Sequence, residues 1–227
     1  MSGAVINNHS CVREPQSVRD IIYGNEESRL RIADLVSGAE PLPAHGKSAV
    51  LLYGVSGTGK TTLARLLPSA IEQGRWQQEL VMPELFIACQ QGHTGPQVMS
   101  LIDRQLSKVS LNCSGLHYLV LDEVDNLSKQ AQQSLKSALN TTHAVFVLTT
   151  NHVSELDRGM LDRCVLVEMN AASVTQLAPI ARAVATAGHA VLNDTDLQHL
   201  VSACNGSLRN VITNTARWAR RQGQLAV

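Results

Sequence analysis

Residues 49–67 read AVLLYGVSGTGKTTLARLL, and no other stretch restricts the fold so much. Five residues, apolar and without alternation, run into Gly54, the pattern of a strand buried on both faces. The turn GVSGTGKTT, residues 54–62, satisfies GxxxxGK[ST], and TTLARLL then reads as a helix expected to end near Pro68. A strand, a tight glycine turn and a helix in that order belong to a parallel α/β sheet. Gly54, Gly57 and Gly59 let the backbone fold tightly. The main chain of the loop, with Val55, Ser56, Thr58 and Thr62, and the helix N-terminus can then cradle phosphates. Lys60 is placed to reach the β and γ phosphates, and the Thr61 hydroxyl to ligand Mg²⁺. The competing reading is an accidental glycine-rich turn; the strand and helix standing where the motif needs them argue against it.

A second stretch, VLDEVDNLSKQAQQSL at 120–135, drives an apolar strand into Asp122 and Glu123, with Asp125 close behind. Carboxylates at the end of a buried strand are costly unless a cation sits there or the charges do chemistry. Beside a phosphate-binding loop, Asp122 fits the Mg²⁺ shell, and Glu123 is placed to polarise an attacking water as a general base. A solvated loop is the alternative for both. Asp125 is either a charge favoured by a helix dipole or a partner contact. The segment TTN ends another apolar run, so Asn151 would arrive beside the same γ-phosphate, although asparagine at a strand end is ordinarily a turn residue. Arg158 and Arg163 follow in ELDRGMLDRC; arginines ordinarily belong to a solvated face.

Further apolar runs of strand length are ELFIAC (84–89), LHYLVLD (116–122), HAVFVLTT (143–150) and CVLVEM (164–169), with helical stretches between them. A helix with apolar positions Leu30, Ile32, Leu35 and Val36 is expected after a turn at Gly24. Beyond Met169 only helices are expected, with Asp194 and Ser207 as N-caps and Gly188 and Gly206 as breakers. The division is therefore an α/β core over 1–170, with a polar arm at 1–17, and a small helical domain over 171–227. The 19 Lys and Arg balance 19 Asp and Glu, so no global field attracts nucleic acid. Five scattered cysteines, without a CxxC pair, point to reduced thiols in a cytosolic protein; a zinc site assembled from distant residues is the alternative. There is neither a signal-peptide layout nor an apolar run that could cross a bilayer, so a cytoplasmic protein is expected.

Six segments in order resemble the clamp-loader group of AAA+ ATPases, the replication factor C small subunits and their bacterial counterparts in DNA polymerase III. VREP…SVRDIIYGNEE resembles the group's nucleotide-base motif, LLYGVSGTGKTTLAR its Walker A, and LVLDEVDNLSKQAQQSLKSAL its Walker B and following helix. VLTTN resembles the sensor 1 strand, LDRC the arginine-finger segment and NGSLRNVI the sensor 2 segment. The resemblance implies ATP and Mg²⁺ as cofactors and a P-loop α/β core carrying a helical lid. It makes Asn151 the sensor that orients water, and Arg163 a finger that reaches the ATP of a neighbouring subunit. Arg209 becomes the lid's contact to the γ-phosphate, and Ile22 and Tyr23 flank the adenine.

The chain departs from that family in four places. Asp162 stands where the family has serine, a carboxylate that could restrain Arg163. Lys136 and Ser137 replace an arginine pair, ACQQG around Cys89 replaces a polar element, and the sequence stops just after the sensor 2 segment, so the family's collar domain is expected to be absent. The resemblance implies partners: other AAA+ subunits, as a homo- or hetero-oligomer, and a DNA-associated protein such as a sliding clamp or helicase. One reading is an ATPase that loads or remodels such a partner; the other is an ATP-dependent assembly switch or adaptor with little turnover. Glu123 after Asp122 and the helical C-terminus disfavour a small-molecule kinase. Arg217, Arg220 and Arg221, beside Trp218, read as a solvated helix face before a phosphate-binding patch; in this family DNA is gripped inside the assembled ring, so DNA contact there stays open.

Overall fold

The computed structural model describes residues 14–89 and 95–225. Most of the polar arm, Cys11, the Val12–Arg13 end of the base motif and Gln90 to Gly92 of the replaced polar element lie outside those residues. Five strands, β1 (Ala49–Tyr53), β2 (Leu85–Ala88), β3 (His117–Asp122), β4 (Ala144–Thr150) and β5 (Cys164–Glu168), form one sheet in the order β2-β3-β4-β1-β5. Every pairing is parallel, as the unalternating apolar runs predict. Val50, Leu52, Val120 and Val147 turn to one face and pack with α1 (Glu26–Ser37) and α2 (Lys60–Trp76). Leu51, Leu121, Phe146 and Leu148 turn to the other, against α3 (Gly95–Leu106) and α4 (Lys129–Ala138). Since all strands run one way, the C-terminal ends of β1, β3 and β4 share one edge, where ligands of open α/β sheets bind.

α2 does not end near Pro68 but continues to Trp76, with Pro68 buried inside it. Leu63, Leu67 and Ile71 form a fully buried stripe at four-residue spacing that crosses the proline, and this packing outweighs the lost hydrogen bond. The stop comes at Gln77, whose left-handed backbone (φ 56°) carries its N–H to the Gln73 carbonyl at 3.2 Å. In α1, Ile32 and Leu35 are buried as expected, but Leu30 is 49% exposed. Gly38 ends that helix at φ 86°.

β5 forms one border of the sheet, and its carbonyls are occupied by side chains. Cys164 accepts from Lys47 Nζ at 2.6 Å, Leu166 from Arg31 Nη1 at 3.1 Å, and Glu168 from Ser28 Oγ at 2.6 Å. A short helix, α5 (Arg158–Leu161), precedes this strand. After it, α6 (Val174–Ala187), α7 (Asp194–Ser202) and α8 (Leu208–Leu225) enclose their own cluster, including Leu177, Ala181, Leu197 and Val211. The N-cap of α7 is Asn193, not Asp194: its Oδ1 accepts the Asp196 N–H at 2.8 Å, while Asp194 sits in the first turn and pairs with Arg182. At the start of α8 the Ser207 hydroxyl accepts the Asn210 N–H at 3.4 Å.

Candidate functional site

The loop between β1 and α2 is shaped by its glycines. Gly54 (φ 136°) could not carry a side chain, because a Cβ there would lie 2.5 Å from the Met169 carbonyl oxygen. A Cβ on Gly57 (φ 80°) would lie 2.3 Å from the Ser207 hydroxyl, so the loop and the start of α8 touch at this residue. Val55 and Ser56 are exposed, and Thr58 Oγ1 closes the loop onto the Val55 carbonyl at 3.0 Å. Lys60 is buried with its ammonium inside the loop, donating to the carbonyls of Gly54 at 2.9 Å and Val55 at 2.7 Å. Burial lowers its pKa, opposed by the charges of Asp125, Asp122 and Glu123, and Arg209 lowers it further. Thr61 and Thr62 occupy the first turn of α2, where backbone N–H groups lack helical partners and favour anions.

The end of β3 meets this loop. Asp122 Oδ1 accepts from Thr61 Oγ1 at 2.8 Å and from Thr149 Oγ1 at 2.6 Å. The Glu123 N–H donates to Thr149 Oγ1 at 2.9 Å. Glu123 has φ 58°, left-handed backbone that costs a non-glycine residue about 1–2 kcal/mol. Its carboxylate is exposed and accepts from Asn126 Nδ2 at 3.3 Å, and the same amide donates to the Cys89 carbonyl at 3.1 Å. Burial, with the carboxylates of Asp122, Asp125 and Glu123, pushes the Cys89 thiol up to about 12. Asn151 follows the last residue of β4, which lies between β3 and β1.

Asp125, read from the sequence as a dipole charge or a partner contact, is an acidic charge in a first helical turn, and its field reaches Lys60 as well. It stands on a single 3₁₀ turn, Val124–Asn126, and is the carboxylate that most opposes the depression of Lys60. Its Oδ1 is buried and has no hydrogen-bond partner among the described residues. Thr149 and Asn126 were not singled out in the sequence. Neither had a signal in the sequence alone: Thr149 is placed by the register, in which Leu121 pairs with Leu148, so that the next residues, Asp122 and Thr149, fall side by side on the face toward α2.

α8 brings Arg209 to the loop, with its N–H on the Gly57 carbonyl at 3.4 Å and its side chain exposed. Ile22 packs against the α6–α8 cluster. The Tyr23 ring turns into the sheet core, where its hydroxyl donates to the Val18 carbonyl at 3.0 Å and burial pushes its pKa up to about 12. Gln176 Nε2 donates to the Tyr23 carbonyl at 2.8 Å, tying this segment to α6. A base held here would therefore meet the main chain and Ile22 rather than the tyrosine ring.

Arg163 is not brought to the loop. It precedes β5 at the opposite end of the sheet, where its carbonyl accepts the Ser48 N–H at 3.2 Å. The five-residue strand β1 separates that end from Gly54 by about 16 Å. Its guanidinium is held by Asn140 Oδ1, 2.7 Å from Nε, and by the Gly159 carbonyl, 2.6 Å from Nη1. The restraint expected from Asp162 is thus supplied by Asn140 and Gly159, and Asp162 instead caps α5. Lys136 pairs with Asp157 at 3.5 Å, and Arg158 is exposed. Arg217, Arg220 and Arg221 are exposed on α8, while Trp218 packs inward on the helical cluster.

Among the described residues no group of three or more His, Cys, Asp or Glu is arranged to hold a metal, and Cys89, Cys113, Cys164 and Cys204 are free thiols. Nor is any helix among them long and apolar enough to cross a membrane.

Residues 50–170 match the family model described as "ATPase family associated with various cellular activities (AAA)". A replication factor C small subunit 1 from Pyrobaculum arsenaticum is 24% identical over 195 residues, 85% of this chain and 56% of that protein. The replication factor C small subunit of Haloarcula marismortui is 25% identical over 202 residues, 87% of this chain and 58% of its own length. The chain thus spans little more than half the length of these curated relatives. Among solved structures, the Thermotoga maritima RuvB Holliday junction branch migration motor superposes with TM-score 0.65 at 20% identity, covering 90% of this chain and 64% of that one. A DNA polymerase III gamma subunit-related protein of the same organism gives TM-score 0.57 at 14% identity, with 86% and 60% covered. Both likenesses describe the fold: a P-loop α/β sheet with helices on both faces. With a family match over more than half its length, the chain belongs to the ATPase family associated with various cellular activities, the AAA family, and it has sequence relatives among the replication factor C small subunits.

Proposed function

We propose that this chain binds ATP with Mg²⁺ and hydrolyses it where two subunits meet, using the cycle to load or remodel a DNA-associated partner such as a sliding clamp or helicase. The observation that carries the reading is the contact of Thr61 with Asp122 at 2.8 Å, one end of a strand against the first turn of the phosphate-loop helix. These are hard oxygen donors, and Mg²⁺ is bound by one or two carboxylates plus substrate phosphates, so the donor set fits that ion. Bound there, Mg²⁺ would neutralise charge on the β and γ phosphate oxygens. Lys60 and the main chain of residues 54–62 hold the phosphates, Glu123 takes the proton of the attacking water, and Asn151 orients that water. The helices of 171–227 act as a lid on the core of 1–170, with Arg209 reporting its position.

Arg163 acts in the pocket of a neighbouring subunit. In support, it lies at the end of the sheet away from its own Gly54, with its guanidinium ordered by Asn140. Partner subunits of the same or a related chain, and a cytoplasmic setting, belong to the same reading. In this reading, any DNA contact belongs to the assembled ring.

Equilibrium binding of a fluorescent ATP analogue and steady-state hydrolysis test the division of roles. Lys60→Ala is expected to lose binding. Glu123→Gln is expected to bind as the parent does and to hydrolyse about 10²- to 10⁴-fold more slowly. Equal loss of affinity in both variants would remove the assignment.

A further inference from the structure

Thr149 lies under the site, 1% exposed, with no surface of its own to offer a partner or a ligand. Its hydroxyl nevertheless joins both carboxylate-bearing residues, 2.6 Å from Asp122 Oδ1 and 2.9 Å from the Glu123 nitrogen. The direction of this chain is fixed. A carboxylate oxygen and an amide N–H cannot exchange roles, so the single hydroxyl proton goes to Asp122 and the oxygen lone pair takes the Glu123 N–H. Asp122 Oδ1 receives a second hydroxyl, that of Thr61, at 2.8 Å.

We propose that Thr149 is a positioning residue that couples the metal-side carboxylate to the water-side carboxylate, so that Asp122 and Glu123 are aimed as one unit. The proposal rests on the reading of Asp122 and Glu123 as the carboxylates of an ATPase. With Mg²⁺ bound, the Thr61 hydroxyl would serve as a metal ligand and would no longer be free to donate to Asp122. Thr149 then remains to hold the carboxylate, and it can do so because β3 and β4 keep both residues in register. The same oxygen fixes the N–H of Glu123, whose left-handed backbone (φ 58°) is what turns this residue out of the strand. Removing the hydroxyl frees two groups at once: Asp122 loses its aim at the metal, and Glu123 can relax toward ordinary extended backbone.

Thr149→Val keeps the shape and deletes both bonds; Thr149→Ser keeps the hydroxyl. Nucleotide affinity is measured with a fluorescent ATP analogue as Mg²⁺ is titrated, alongside kcat, KM and the exchange rate of the Glu123 amide hydrogen. Thr149→Val is expected to need roughly tenfold more Mg²⁺ for half of its affinity gain, and to lose about 10- to 100-fold in kcat. KM at saturating Mg²⁺ is expected to stay within about threefold. The Glu123 amide should exchange faster, and Mg²⁺-free nucleotide binding should be unchanged. Thr149→Ser should restore all of these to within about threefold. Unchanged Mg²⁺ requirement and kcat in Thr149→Val overturns the proposal. So does a folded Thr149→Ser that needs about tenfold more Mg²⁺ or loses about tenfold or more in kcat relative to the parent, an outcome that is decisive even where the valine variant fails to fold. The two readings separate cleanly: if Lys60→Ala and Glu123→Gln behave as ATPase variants while Thr149→Val is silent, only the coupling fails.

Discussion

Lys60 shows how much of a residue's role is legible before the fold is known. The motif around it announces a lysine that meets phosphate. What it cannot announce is the resting place of the ammonium, on the carbonyls of Gly54 and Val55, or its burial. Those follow from how tightly the loop closes against Met169 and Ser207, more than a hundred residues along the chain. Asp125 is the same lesson in reverse: three residues beyond Asp122 it reads as a dipole charge or a partner contact, and its electrostatic pull on Lys60 shows only once the 3₁₀ turn is in place. Burial favours the neutral amine and so depresses the lysine pKa, whereas bound phosphates favour the ammonium and raise it. Binding therefore takes up a proton wherever free Lys60 is already losing one. ATP affinity should be flat near neutrality and should fall as pH rises through the pKa of the free protein, which lies below the ordinary 10.5. Lys60→Arg, charged throughout, should show no such fall. Isothermal titration in two buffers of different ionisation heat measures both the affinity and the proton uptake; an affinity that holds level up to that ordinary lysine pKa of 10.5 would contradict this account.

Among the elements, the strands were readable because a sheet covered on both faces needs uninterrupted apolar residues, and β1, β3, β4 and β5 have them. α2 was legible only in its first half. Pro68 is a strong local signal for a stop, yet the stripe of Leu63, Leu67 and Ile71 continues past it, and burial of that stripe decides the length. The far end of α2 then holds α1 by a means without any sequence pattern. Arg75 Nε and Nη2 donate to the Leu35 carbonyl at 3.0 and 2.6 Å, Nη1 to Leu42 at 2.9 Å, and Nη2 also to Glu40 at 3.1 Å. The planar fork satisfies the end of α1 and the loop after it together, which a lysine cannot do from one point. Arg75→Lys is expected to cost about 3 kcal/mol in urea unfolding, with several half-buried carbonyls left unpaired. A loss below about 1 kcal/mol, the scale of an ordinary exposed contact, would mean that the clamp contributes little.

At the scale of the whole molecule, the order of motifs along the chain was plain and their arrangement in space was not. The phosphate loop and the residues that end β3 and β4 are neighbours because parallel strands deliver their C-terminal ends to one edge. Arg163 precedes its strand and so emerges at the other edge, a placement that depends on the direction of β5 in the sheet. If the pocket of one subunit is completed by the arginine of the next, two defective chains can repair each other. Arg163→Ala alone should bind ATP and hydrolyse it poorly, and mixing it with Lys60→Ala should recover part of the rate. The specific rate of the parent chain should also rise with protein concentration. Absence of recovery at every ratio, in assemblies shown by mass spectrometry to hold both variants, would leave the arginine without a role in trans. The outer border at β5 carries a different consequence. A fibre of stacked strands recruits its next member through unoccupied main-chain acceptors, and on this border Lys47, Arg31 and Ser28 have already taken three of them. A neighbour arriving on that flank meets side chains on three of the carbonyls it would need.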